Sequence, residues 1–335
     1  RANDEGALRQ LIDAILAARG ADDEHPERIV LLAQGAIRLI FAGNLPEADR
    51  LLERIPAGLA HLGPAHQGWL LRARGWRALS DGDPGAYRAF MRRSANSFRD
   101  VGDARNACVQ QMNEAYAEMC LGRMSAAEAG LTAVLPTAER LGLGTVTATA
   151  RHNLGRVLGC LGKLEAGEAL ERQAIEAFAH QRDMRLRAVS FAYLAEILLM
   201  KGDLAGALAA AEAAADGAPD RSPSRAITLA TLATVLLADP TPENGARAAS
   251  AAGEARELLD AFGGVDEGEG LIRLAHARAL VAVGAVDEAR VAATEAARRL
   301  HERAARITPE ALRPGFLANV PEHAATFALV DALSA

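Results

Sequence analysis

A glycine period limits what this chain can fold into more than any other feature. Gly43, Gly82, Gly122, Gly162, Gly202 and Gly284 are spaced by 39, 40, 40, 40 and 82 residues, the last interval being two periods. Around two of them a whole pattern recurs. Asn153-Leu154-Gly155, Leu158, Leu161-Gly162-Lys163-Leu164 and Ala174 return 40 residues later as Tyr193-Leu194-Ala195, Leu198, Lys201-Gly202-Asp203-Leu204 and Ala214. A helix that must stop and reverse at once ends in a left-handed residue, which glycine adopts without steric cost. The spacing therefore predicts helical hairpins of near-constant length, stacked side by side.

Seven hairpins fit this register. Their first helices are expected near 26–42, 64–80, 103–121, 143–161, 183–201, 222–238 and 266–283. Their second helices are expected near 45–55, 84–99, 124–140, 164–179, 204–216, 242–262 and 286–304. In the sixth hairpin Asp239-Pro240-Thr241-Pro242-Glu243-Asn244 stands where the others have a glycine turn. Proline in the first turn supports the starts at Pro26, Pro64, Pro84, Pro242, Pro309 and Pro321. A lone helix near 7–19 and a linker to 25 precede the array, and residues 305–335 form two short helices closing its end through Phe316, Leu317, Phe327 and Leu329. The whole chain, 1–335, reads as one all-α solenoid, with no alternating strand pattern anywhere.

Composition agrees with tight stacking. Half the residues are hydrophobic but only 4% are aromatic, and the excess is alanine, which lets helix backbones approach closely. The net charge of −6 lacks the clustered Lys and Arg of a nucleic-acid surface. No apolar run is long enough to span a membrane. Cys108, Cys120 and Cys160 form no CxxC pair and point to small buried residues in a reducing, cytoplasmic setting. The chain starts at Arg1 without an initiator Met, as expected of a fragment or a trimmed product.

The repeated pattern resembles the tetratricopeptide repeat, extended from its usual ~34 residues. The resemblance runs over about residues 26–304 and is strongest at Leu154-Gly155, Leu158, Gly162 and Leu194-Ala195, Leu198, Gly202, Ala207. The tail Leu312-Arg313-Pro314-Gly315-Phe316-Leu317-Ala318-Asn319-Val320-Pro321-Glu322-His323 resembles the end of large bacterial signalling proteins. In those a kinase domain and a STAND-type ATPase precede a tetratricopeptide sensor region. The resemblance implies a recognition module without either catalytic domain.

Enzyme signatures are absent. There is no phosphate-binding glycine loop, no GxSxG and no HExxH, and His61 and His66 are not at a metal-ligand spacing. Asp22-Asp23-Glu24 reads as a solvated acidic run. No metal or cofactor is expected. What remains is the lining of the array, which in tetratricopeptide proteins comes from the first helices. Residues equivalent to one another then form columns: Trp76, Tyr116, Arg156 and Glu196 in one, Arg72, Met112 and His152 in a second, Asn113 and Asn153 in a third.

An Asn side chain both donates and accepts, so Asn113 and Asn153 could pair with a peptide backbone whatever its sequence. At helix spacings of roughly 10–20 Å and an extended rise of about 3.3 Å per residue, they would reach groups some three to six residues apart. Trp69, Arg72 and Trp76 share one helix face, and Trp and Arg are frequent interface anchors, although both tryptophans could instead pack under neighbouring helices. The expected function is binding of a protein or peptide segment, from another chain or from the same polypeptide. A small-molecule sensor with Trp69, Trp76, Tyr116 and Arg156 around one pocket, or an oligomerisation scaffold, are the alternatives.

Overall fold

The structure, a computed structural model, describes residues 26–55, 62–265 and 267–335. The expected first helix near 7–19, the acidic run 22–24 and His61 lie outside the described residues. Among the described residues there are helices and turns and no strand. In chain order the helices are α1 (Pro26–Phe41), α2 (Leu45–Glu53), α3 (Pro64–Ser80), α4 (Pro84–Asp100), α5 (Ala104–Cys120) and α6 (Met124–Arg140). There follow α7 (Gly144–Cys160), α8 (Leu164–Gln181), α9 (Met184–Met200), α10 (Leu204–Gly217), α11 (Pro223–Leu236) and α12 (Pro242–Ala261). The chain ends with α13 (Glu269–Ala282), α14 (Val286–Arg306), α15 (Arg313–Asn319) and α16 (Pro321–Ser334). Odd-numbered helices up to α13 are the first members of seven hairpins. The last hairpin starts at Glu269 instead of 266, because Gly268 takes the left-handed conformation with φ 80° just before it.

The periodic glycines do what their spacing implies. Gly43, Gly82, Gly122, Gly162, Gly202 and Gly284 have φ between 69° and 81°. After each, the next backbone N–H donates to the carbonyl five residues back, as in Asn44 to Leu39 at 2.9 Å, Lys163 to Leu158 at 2.9 Å and Asp203 to Leu198 at 3.0 Å. This is the Schellman closure, and it satisfies carbonyls that the helix end would orphan. The residue that follows the glycine starts the second helix. Where it is Asn44, Asp83 or Asp203, its side chain accepts from the N–H three residues on and caps that helix. Stop and start are thus packed into two residues, which holds the hairpin length constant. Pro309 does not begin an α-helix; it precedes a single 3-10 turn, Glu310–Leu312, and α15 begins at Arg313.

Contacts divide the chain into two compact units, Arg1–Glu114 and Ala115–Ala335, with the division inside α5. Unit 1 packs Ile29, Leu32, Leu39, Leu51, Leu62 and Leu70 into one cluster. Small residues let α3 and α4 close on each other: a Cβ on Gly68 would meet the Phe98 ring at 2.9 Å, and one on Gly75 would meet Met91 at 2.3 Å. In unit 2 the contact layers are built from alanines, Ala207, Ala211, Ala248, Ala252 and Ala255 among them, each essentially without solvent exposure. The tail of unit 2 turns back on the repeats. Ile307, Leu312 and Phe316 pack with Leu121, Leu300 and Ala304, joined by the partly buried Leu317 and Phe327. The approach is close, since a Cβ on Gly122 would lie 2.4 Å from the Gly315 carbonyl oxygen. Behind it α16 lies along α13 and α14, and Gly270 leaves the room that the His323 ring fills, 2.7 Å from where a Cβ would be.

Candidate functional site

The first helices of unit 2 present a buried polar layer. Arg156 of α7 and Glu196 of α9 are one period apart, so the stacking of adjacent first helices brings them together. Arg156 Nη1 donates to Glu196 Oε2 at 2.6 Å, and Nη2 donates to Glu322 of α16 at 3.1 and 3.2 Å. The same guanidinium sits 4.4 Å over the Tyr193 ring, and the Tyr193 hydroxyl donates to Glu267 Oε1 at 2.6 Å. His152 stacks on the same Tyr193 ring, with centroids 4.7 Å apart and planes 10° from parallel.

Burial opposes the charge on Arg156, but Glu196 and Glu322 outweigh it and hold its pKa well above the ordinary value. Burial also pushes the two carboxylates up. For Glu196 that effect prevails over Arg156, with Glu322 adding to it, and its pKa is raised. For Glu322 the charges of Arg156 and His323 prevail over burial and its pKa is lowered. Burial raises Tyr193, Tyr116 and the Cys120 thiol, the last to about 12, with Glu267 contributing to each. The layer therefore favours neutral phenols and thiols and keeps one guanidinium paired.

Below it His152 Nδ1 lies 3.1 Å from Glu171 Oε2 and 2.7 Å from Ser190 Oγ. Ser, His and Glu together invite comparison with a hydrolytic triad, but both partners meet the same ring nitrogen. A relay needs them on opposite nitrogens, with the hydroxyl open to substrate. Here Glu171 and Ser190 have no exposure at all. The trio ties α7, α8 and α9 together. Gly155 makes it possible, since a Cβ there would stand 2.7 Å from Glu171 Oε1. Burial raises the Glu171 pKa against the pull of His152.

The residues singled out in the sequence fall into both units. Tyr116, His152, Asn153, Arg156 and Glu196 belong to unit 2, and His152, Arg156 and Glu196 enter the network just described. Asn153 is 5% exposed, and among the described residues no hydrogen bond engages its side-chain amide. Trp69, Arg72, Trp76, Met112 and Asn113 belong to unit 1. Asn113 is buried and its amide donates to Gln110 Oε1 at 3.2 Å and to Met91 Sδ of α4 at 3.9 Å; Met112 beside it is half-buried. Glu171, Ser190, Glu267 and Glu322 are the members of the network that the sequence did not single out. Only the Pro321-Glu322-His323 run of the tail carried any signal for them.

In unit 1 Trp69 and Trp76 are half-buried against Ala33, Ile37 and Ala73. Trp76 meets Phe41 edge-on at 4.8 Å and Tyr87 at 5.1 Å, while Trp69 meets Phe98 at 5.7 Å. Arg72 lies over Trp69, 5.2 Å from the ring centroid. Its Nε and the Trp76 indole N–H are both buried, and among the described residues neither finds a hydrogen-bond acceptor. Burial lowers the Arg72 pKa, and only the Tyr87 phenol works against that. No group of three metal-ligating side chains occurs among the described residues, and none of their helices is long and apolar enough to cross a membrane.

No protein-family model matches the chain, and no curated protein matches it in sequence. Solved structures do. A Rap protein complexed with competence and sporulation factor matches at a TM-score of 0.68 and 12% identity, over 98% of this chain and 91% of that one. The apo quorum sensor NprR from B. thuringiensis matches at 0.62 and 12% identity, over 99% of both chains. A STAND signal-transduction ATPase with a tetratricopeptide repeat sensor, from Pyrococcus horikoshii, matches at 0.60 and 14% identity, over 77% of this chain but 41% of that one. At such identities the likeness is one of fold: this chain is an all-α solenoid of the tetratricopeptide type.

Proposed function

We propose that this chain is a non-catalytic recognition module that binds a segment of a protein on the face lined by its first helices. The observation that carries the reading is Arg156. On that face it already grips a distant stretch of the same chain, the Glu322 carboxylate 166 residues away, by side-chain contacts and not by apolar packing alone. The fold relatives add support, since one is a Rap protein complexed with competence and sporulation factor, one a quorum sensor and one a STAND ATPase with a tetratricopeptide repeat sensor. The module belongs in this reading to a bacterial signalling protein of a reducing compartment, where three free cysteines are at home. Its partner is a peptide, a second protein or another part of its own polypeptide.

Peptides selected from a displayed library against the full chain test this directly. Asn153, buried with an unengaged amide, reports the first-helix face of unit 2, and Arg72 separately reports that of unit 1. Selected peptides are expected to lose more than tenfold in affinity with Asn153→Ala or Arg72→Gln. Failure to enrich any binder, or binders indifferent to both substitutions, would sink the proposal.

A further inference from the structure

Among the described residues the chain supplies no counter-charge for Arg72, on the first helix α3 of unit 1. Its neighbours are the Trp69 ring and the Tyr87 phenol, and no carboxylate contributes to its environment. A desolvated guanidinium without a partner is costly, and proteins as a rule pair such groups. Four residues on, one helical turn away, Trp76 holds a second orphaned donor in its buried indole N–H. The contrast with Arg156 is direct, because there the same cation type is met by Glu196 and Glu322. A guanidinium without a carboxylate, lying over one indole and one helical turn from a second, describes a receptor for a planar acceptor attached to an apolar body.

We infer that Arg72, with Trp69 and Trp76, is a binding site for a carboxylate carried by an apolar or aromatic residue of a peptide. The inference rests on the segment-binding reading above and adds to it the chemistry of the ligand. A guanidinium offers two parallel N–H groups to a carboxylate. Phosphate is the other anion with suitable acceptors, but phosphate sites commonly gather several donors and cations. Here the guanidinium over the indole is that of Arg72 alone, in a chain of net charge −6. The apolar side of the ligand lies on the indoles, where aromatic stacking and area burial add to the ion pair.

The test uses a convenience of this sequence: Trp69 and Trp76 are its only tryptophans, so intrinsic indole fluorescence reports this site alone. The full chain is titrated with N-acetyl-phenylalanine, with its neutral amide, and with inorganic phosphate. A saturable fluorescence change at least tenfold tighter for the acid than for the amide is expected, and Arg72→Gln should erase that preference. Equal response to acid and amide, or tighter saturation by phosphate alone, overturns the assignment. A second variant guards against a trivial loss of fold. Arg72→Met keeps the stem over Trp69 while removing the unpaired charge, and it should raise the unfolding midpoint of the unliganded chain. A lowered midpoint would make Arg72 a structural residue and end the proposal. Library peptides that bind well but ignore Arg72→Gln would overturn this inference and leave the broader reading standing.

Discussion

Replacing Arg156 by methionine should release the tail of unit 2 before it disturbs the repeats. The substitution removes three contacts at once: the bond to Glu196 at 2.6 Å, the fork onto Glu322 and the cation–π contact with Tyr193. It leaves two largely buried carboxylates facing each other, with side-chain exposures of 25% and 14%. Breaking one partner out of a buried pair costs about 3–5 kcal/mol. Residual exposure argues for the lower end, about 3 kcal/mol, on the scale where each ~1.4 kcal/mol is tenfold. Hydrogen exchange of amides in α15 and α16 should therefore speed up by about a hundredfold if they open locally.

Glu322→Gln in the same background removes one of the stranded charges, and the double variant should recover about 1–2 kcal/mol relative to Arg156→Met alone. The pH dependence has a sign as well. In the native chain Glu322 is lowered, so its stabilisation is in place above the ordinary carboxylate value of 4.5 and is lost as pH falls through the lowered value. Without Arg156, burial dominates and raises it, so the variant should lose stability as pH rises from about 5 to 7. Additive effects of the two substitutions, or unchanged exchange in α16, would refute the view that Arg156 holds the tail.

Four further outcomes follow, three from local geometry and one from a buried thiol. Gly155→Ala should destabilise unit 2 by about 1–3 kcal/mol in urea unfolding, because its Cβ would fall 2.7 Å from a carboxylate oxygen that has nowhere to go. Gly253→Ala, mid-helix in α12 with nothing within 4 Å, should instead stabilise by about 0.5–1 kcal/mol. Asp203→Ala removes the cap that accepts from Gly206 N–H at 2.9 Å and should cost about 0.5–2 kcal/mol in the same assay. The Cys120 thiol, raised from 9.0 to about 12, contributes its full stabilisation below pH 9 and loses it as pH rises towards 12. By pH 10 that amounts to about 1.4 kcal/mol, which Cys120→Ala should remove from the alkaline limb of the stability curve.

How much of this could be read in advance depends on the range over which each feature is decided. The turn at Gly162 is settled within six residues, from the Leu158 carbonyl to the Lys163 N–H, so a glycine period was enough to place it. The meeting of Arg156 with Glu196 needs only the period itself, since residues 40 apart on adjacent first helices must face each other once the hairpins stack. Glu322 was beyond that reach. Its partner is set by how the tail folds back past Gly122 and Gly270, and no local pattern encodes a contact across 166 residues. Gly155 shows an intermediate case: the small residue was visible, but what fills the space is a buried glutamate held there by His152 and Ser190. Arg72 inverts the usual order. Its position on a face with Trp69 and Trp76 was legible from spacing, while its lack of a counter-charge is a property of every element around it. A sequence can therefore propose where an anchor stands, but only the packed structure tells whether its charge is already answered, as at Arg156, or still open, as at Arg72.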